Sequence, residues 1–364
     1  MKTNKFSIIL MLAILMIAGM LSCSQKNYKM ITRIDSSGSC QREIYAEDDS
    51  AFLPGYMGHN PYLFTIDSDW QIEYLTDTVK TTGIGKRYNV IIRKDFRSVK
   101  ELPEGLRFDE NLKSFAMPEE SLEKKFRWFY TYYTFKGTYA NLSDKVSIPA
   151  DKYMSKTEQA LWFQGDMSAY RGMNGMELKA ELDDIENAFF LWWSRNVYEE
   201  SFNAVRYFAG LTGDDTYLSQ LDAVKDTVFA IHSKEIMRWD FEPVDICNMF
   251  DNYFATNRFT DLFKSNEQTI NELYNQKMSP LEDLNSITIA YNLVMPGKLL
   301  RTNATINPNA LQWKVNAIRL IADDYVLTAE SRVFHPWALA ITFLLAAIAV
   351  YCLLKVVEKS RNSR

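Results

Sequence analysis

Histidine is scarce in this chain: 3 in 364 residues, at positions 59, 232 and 335. There is no HExxH pair, no two histidines at helical spacing and no Cys/His cluster, so a zinc site would have to be assembled from distant segments. Cysteine is equally sparse, at 4 residues without a CxxC, which removes the local signature of a redox motif. No GxSxG elbow occurs. Gly83-Ile84-Gly85-Lys86 lacks the GxxxxGK[ST] spacing and reads as a turn, not a phosphate loop. The residues therefore nominate no catalytic, metal or cofactor-binding set, and no cofactor. His232 falls on a predicted helix as a surface residue, His335 beside Pro336 reads as an interfacial anchor, and His59 in PGYMGHNPY is the one loop histidine to watch. Asp183, Asp184 and Glu186, with Asp214 and Asp215, supply the carboxylates a glycosidase would need, but in an acidic protein such residues mostly form solvated faces.

An excess of positive charge is also missing where it would matter. Outside residues 1–22 and 337–364 the chain holds 35 Lys+Arg against 45 Asp+Glu, a net charge of −10. Nucleic acid and anionic lipid both need a basic footprint, so neither is expected as the main partner of this middle part.

What the chain does have is an apolar run at each end. Lys2 and Lys5 precede Phe6 to Leu21, the layout of a secretory signal peptide. Leu21, Ser22 and Cys23, with Ala18 and Gly19 upstream, resemble the lipobox of bacterial lipoproteins, although Met20 stands where that pattern carries Leu. The resemblance implies cleavage before Cys23 and lipidation of its thiol; an uncleaved signal anchor is the other reading. Trp337 to Leu354 is uncharged and, at 1.5 Å per residue, about 27 Å long, close to the ~30 Å hydrocarbon core of a bilayer. Lys355, Lys359, Arg361 and Arg364 against Glu358 put the tail in the cytoplasm by the positive-inside rule. The expected location is the bacterial inner membrane, with the soluble part in the periplasm. Because only four residues separate each end of that part from its anchor, about 14 Å when extended, both ends are expected at one bilayer surface, near each other.

Only Cys40 and Cys247 remain once Cys23 is assigned to lipid and Cys352 to the helix. Either they pair in an oxidising compartment, or they are two separate buried thiols.

Strand signals open and close the soluble part. Tyr28 to Ile34 and Gln41 to Ala46 flank a Gly-containing turn; Trp70 to Leu75 and Tyr88 to Arg93 flank a second. Phe126 to Phe135, FRWFYTYYTF, carries rings on both alternations and reads as one strand, either buried on both faces or buried on one and covered by another domain on the other. Ser155 with Glu158 has the form of a capping box. Helices are predicted over about 175–210 and 215–237, then 244–265 and 266–275, with no proline inside them. After Pro280 alternating segments return around Ile287, Leu311 and Tyr325.

This order predicts an α+β fold: an antiparallel sheet or sandwich built from both chain ends, an inserted helical block and one transmembrane helix. The expected divisions are a signal peptide (1–22), an N-terminal β part (23–144), a helical insertion (145–280), a C-terminal β part (281–336), the membrane helix (337–357) and a tail (358–364). VMPGKLLRTNATINPNALQWKV, followed by a membrane helix, resembles the end of LppM-like membrane-anchored lipoproteins over about Asn292 to Leu354. The resemblance implies topology and a β domain, and brings no catalytic residue.

Aromatics make up 14% of the chain and cluster in 126–135, 189–193 and 253–263. Trp128, Tyr130, Trp192 and Trp193 are therefore candidates for a binding surface, unless two domains pack those faces together. The expectation is a non-enzymatic binding or scaffold module of the envelope, with the membrane and another envelope protein or glycan as partners and no nucleic acid. The alternative is an envelope glycan- or peptide-directed hydrolase, or a ligand-binding protein, with its site between sheet and helices.

Overall fold

The computed structural model describes residues 26–46, 61–62, 64–66, 68–80, 87–102, 106–108, 117–211, 215–236 and 241–361. The signal segment, Cys23, His59 and the Gly83–Gly85 turn lie outside them.

Two sheets face each other. The larger has the order β11-β12-β9-β1-β2-β5-β4 and the smaller β10-β13-β8-β7, with β3 and β6 as a short separate pair. The strands are β1 (Lys26–Ile34), β2 (Cys40–Ala46), β3 (Phe64–Ile66), β4 (Gln71–Lys80), β5 (Arg87–Phe96), β6 (Leu106–Phe108), β7 (Glu119–Arg127) and β8 (Tyr130–Tyr139). After the helices come β9 (Ile287–Val294), β10 (Lys298–Thr302), β11 (Thr305–Asn307), β12 (Ala310–Asn316) and β13 (Tyr325–Phe334). The period-two alternation places Met30, Ile44, Ile92 and Tyr291 of one sheet against Phe135, Leu327 and Ala329 of the other in a single core. Each such fully buried aliphatic or aromatic side chain stabilises the fold by roughly 1.5–3 kcal/mol.

The expected α+β class holds, with both chain ends in one sandwich and the helices between β8 and β9. One pairing differs: β1 runs parallel to β9, Lys26 beside Ile287 through Arg33 beside Val294. Parallel neighbours need a long crossover, and here everything from β2 to the last helix of the block forms it.

The reading of Phe126 to Phe135 as one strand is corrected. Trp128 and Phe129 are the tip of a hairpin, with Arg127 opposite Tyr130. The tip contains no Gly, Asn or Pro, and Trp128 turns the chain at φ +23°. Neighbours on the last helix, Trp337 and Thr342, hold it there.

The helical block contains α1 (Lys156–Gln159), α2 (Gly175–Leu211), α3 (Asp215–Ile236), α4 (Pro243–Phe254) and α5 (Arg258–Ser286). The Ser155–Glu158 capping box is present. The Asp251 carboxylate accepts hydrogen bonds from the Phe259 and Thr260 amides, capping α5 across a turn at Ala255. Here too the boundaries move: α5 runs through Pro280 to Ser286, with its break at Asn266 (φ −137°, ψ 20°). The second half of α2 packs with α3, α4 and α5 around Phe202, Phe250 and Phe259. Its first half meets Ile321 of the β domain through Ile185 and Trp192, which fixes the block to the sandwich.

The last helix, α6 (Pro336–Arg361), contains an apolar stretch of 21 residues, Pro336–Val356, with mean hydropathy 2.4 and almost none of it buried by the rest of the protein. It is long and apolar enough to cross a membrane.

Strand directions then decide where the chain ends lie. β13 ends at Phe334 beside the hairpin tip, and the Ser331 hydroxyl donates to the Pro296 carbonyl, so β9 also ends at the α6 side. The β1–β2 turn lies there too, since Lys124 Nζ and Tyr133 Oη donate to the Ser36 carbonyl. At the other end Leu142 bonds Leu320, and Lys26 sits level with Ile287, where the helical block leaves the sheet. β1, about 30 Å long at 3.3 Å per residue, therefore starts at the far end from α6. The expectation that the two ends of the soluble part lie near each other is overturned: Lys26 and Phe334 stand at opposite ends of the strands, and the three residues from Cys23 to Lys26 span about 10 Å, far short of that length. Local strand spacing carried no information about the parallel β1–β9 register that causes this.

Candidate functional site

The nominated aromatics do not come together. Trp192 is fully buried and donates through Nε1 to the Ile148 carbonyl at 2.7 Å, and Trp193 packs between the two helical cores. They are interior residues, since the 3.6-residue period of α2 turns both toward packed neighbours. Trp128 and Tyr130 lie at the opposite end of the molecule, beside α6. Cys40 and Cys247 are free thiols, one in the sandwich core and the other in the helical core, so the disulfide considered from the sequence is absent. Burial pushes both thiols up to about 12.

The hairpin tip and the start of α6 form one aromatic foot. The Trp128 indole donates to Thr342 Oγ1 at 2.8 Å, and Thr342 in turn donates to the Ala338 carbonyl. Phe126 stacks on Trp337 with ring centroids 6.3 Å apart, and Trp128 meets the same ring edge-on at 5.8 Å. His335 joins them: its amide donates to the Phe129 carbonyl and its Nε2 lies 2.8 Å from Thr131 Oγ1. Phe126 meets His335 and Trp337, whereas Trp128 meets Trp337 and Thr342, so the hairpin runs alongside the helix axis. Phe126, Trp128, Phe334 and Trp337 remain 42–56% exposed. Amphipathic rings in that position suit the headgroup level of a bilayer.

The outer face of the same sheet carries a second pattern. Arg127 lies opposite Tyr130, Lys125 opposite Tyr132, and Lys298 opposite Arg332. The Arg332 guanidinium sits 4.4 Å over the Tyr130 ring, and that of Arg127 lies 5.8 Å from Tyr132. A recess of about 330 Å³ opens between Tyr130, Gly297, Lys298, Arg332, Val333 and Phe334. Gly297 forms its wall at φ +76°, where a Cβ would overlap the Arg332 carbonyl.

One polar cluster is sealed in the sandwich. Arg42 of β2 pairs with Glu120 of β7 at 2.7 Å, and both side chains are wholly buried. Thr32 accepts from Arg42, and the Tyr291 hydroxyl donates to Glu120. Burial opposes the Arg42 charge, but the neighbouring Glu120 and Tyr291 outweigh it and leave its pKa above the usual value. Burial, together with the Glu120 charge, raises the Tyr291 hydroxyl well above its ordinary value. With no exposure, this cluster joins two sheets and has no access to substrate. Alternation had the signal for it: Arg42 shares the inward face with Cys40 and Ile44.

A second recess, lined by Lys264 to Asn271, holds one carboxylate, Glu267. Neither recess brings together the carboxylate pair that a hydrolase reading requires.

No family model matches this chain. No curated protein matches it either. Among solved structures, the NMR structure of the LppM folded domain from Mycobacterium tuberculosis is a weak neighbour, with a TM-score of 0.28 and 9% identity over 86% of this chain and 93% of that one. A likeness at that level carries no argument.

Proposed function

We propose that this protein is a non-enzymatic scaffold of the bacterial envelope, standing on the inner membrane by its aromatic foot and holding the helical block outward for a partner protein. The observation that carries the reading is the Trp128–Thr342 contact together with the attachment of the block, through Ile185, Trp192 and Ile321, at the other end of the sandwich. Exposed Tyr207 and Ile231 on that block offer apolar contact area to a partner. The basic residues at the C-terminal end of α6, Lys355, Lys359 and Arg361, support an extracytoplasmic orientation of the rest, and the apolar run before Cys23 supports export through a signal sequence. Lipidation of Cys23 is not part of this proposal: three residues, about 10 Å, do not bring its acyl chains from Lys26 at the far end of β1 to the membrane that α6 enters.

The test is photocrosslinking in intact cells from position 207 or 231, with position 126 as the comparison. The reading expects discrete protein adducts from the block and lipid adducts from Phe126. It is overturned if position 207 and position 231 both yield none while position 126 yields protein.

A further inference from the structure

Overall charge hides a local feature. On a body of net charge −10, the α6 end of the four-stranded sheet presents Arg127, Lys125, Arg332 and Lys298 on one face. Lys125 pairs with Glu123 at 3.5 Å, whereas Arg127, Arg332 and Lys298 have no carboxylate partner among the described residues. Unneutralised cations on an acidic protein raise the local potential just where the chain turns into its membrane helix.

We infer that the recess between Tyr130, Gly297, Lys298, Arg332 and Phe334 binds the phosphate of an anionic phospholipid in the membrane that α6 crosses. Four observations converge there. Arg332 is held over the Tyr130 ring, so its planar fork is positioned in advance for a phosphate's paired oxygens. Lys298 lies directly opposite Arg332 and adds a second cation to the same opening. Gly297, whose φ of +76° and lack of a Cβ let the turn lie directly against the Arg332 carbonyl, sets Lys298 beside Arg332 at the mouth of the recess. Phe334 and Tyr130, with ring centroids 5.4 Å apart, give an apolar floor suited to the glycerol and first methylenes of a lipid. Phe334 is two residues from Pro336, which places the recess at headgroup height and selects a phospholipid over a free phosphate. The proposal runs against the expectation, drawn from net charge, that an anionic lipid surface is not the main partner.

The inference rests on the membrane placement of the foot and is independent of the scaffold role. The experiment is native mass spectrometry of the full chain, released from nanodiscs of mixed phosphatidylglycerol and phosphatidylcholine, for the wild type, the K298Q/R332Q variant and a K179Q control. Phosphatidylglycerol retained in preference to phosphatidylcholine is expected, with loss of about tenfold or more in K298Q/R332Q for two cations near a membrane surface and no change in K179Q. Millimolar inorganic phosphate is expected to leave the retained lipid in place. Equal retention of the two lipids, or an unchanged K298Q/R332Q, overturns the site while leaving the foot intact. Displacement by inorganic phosphate shows a free-anion site and overturns the lipid assignment. A chain that fails to enter nanodiscs overturns the foot and this inference together.

Discussion

Arg42 and Glu120 form an ion pair at 2.7 Å that joins the two sheets with neither side chain exposed. Removing one member strands the other charge in the core. Glu120→Gln is therefore expected to destabilise the full chain in detergent by about 3–5 kcal/mol in chemical unfolding. R42M/E120L removes both charges and is expected to recover most of that loss, so a double variant weaker than the single one would contradict a simple paired-charge account.

The buried thiols give a second check. Cys40 and Cys247, with pKa values near 12, carry almost no thiolate at neutral pH. Maleimide at pH 7.5 is expected to leave both unlabelled in the folded protein and to label both after unfolding without reductant. A requirement for reductant would mean that the two are bridged.

The turn between β1 and β2 titrates in a predictable direction. Hydrogen bonds from Ser37 and Ser39 lower the Asp35 carboxyl to about 2, whereas the unfolded value is near 4. A depressed folded pKa adds stability that is complete above the unfolded value and is lost as pH falls through the folded one. Asp35→Asn is thus expected to be less stable than the wild type at pH 6, with the gap closing between about pH 4 and 2. Because Asp35 is exposed, solvent screening keeps the difference small. A carboxyl NMR titration with a midpoint near 4 would refute the hydrogen-bonded turn.

Much of the architecture was legible because its signals are local. Alternation around Ile44, Tyr291 and Trp313 marked strands, Ser155 with Glu158 marked a cap, and the uncharged run from Trp337 marked a helix long and apolar enough to cross a membrane. What was missed depends on distant contacts. The Trp128 turn has no turn residue and is held by Thr342, more than two hundred positions away. β7, EESLEKKFR, looks polar because its inner face closes on the single buried charge Glu120 and the half-buried Leu122. The parallel partner of β1 lies beyond the whole helical block, so neither its register nor the resulting position of Lys26 was readable. For the site, the rings of Trp128 and Tyr130 were legible as candidates, while Lys298 and Arg332 become neighbours only through the β10–β13 pairing.

Anchoring by α6 alone is expected to suffice. Cys23→Ser should leave the chain in the membrane fraction after a carbonate wash, because the Pro336–Val356 stretch is long and apolar enough to cross without help from a lipid. Release of the variant into the soluble fraction would refute the helix as an anchor.

The upright stance of the sandwich is tested most directly by height above the bilayer. Fluorophores placed at Asn27→Cys or at Arg127→Cys, in a Cys352→Ser background, are measured by energy transfer to acceptor lipids in nanodiscs. The account predicts that the label at position 127 lies at the membrane surface and the label at position 27 about 30 Å farther out, one β1 length away. Equal heights for the two labels would contradict it.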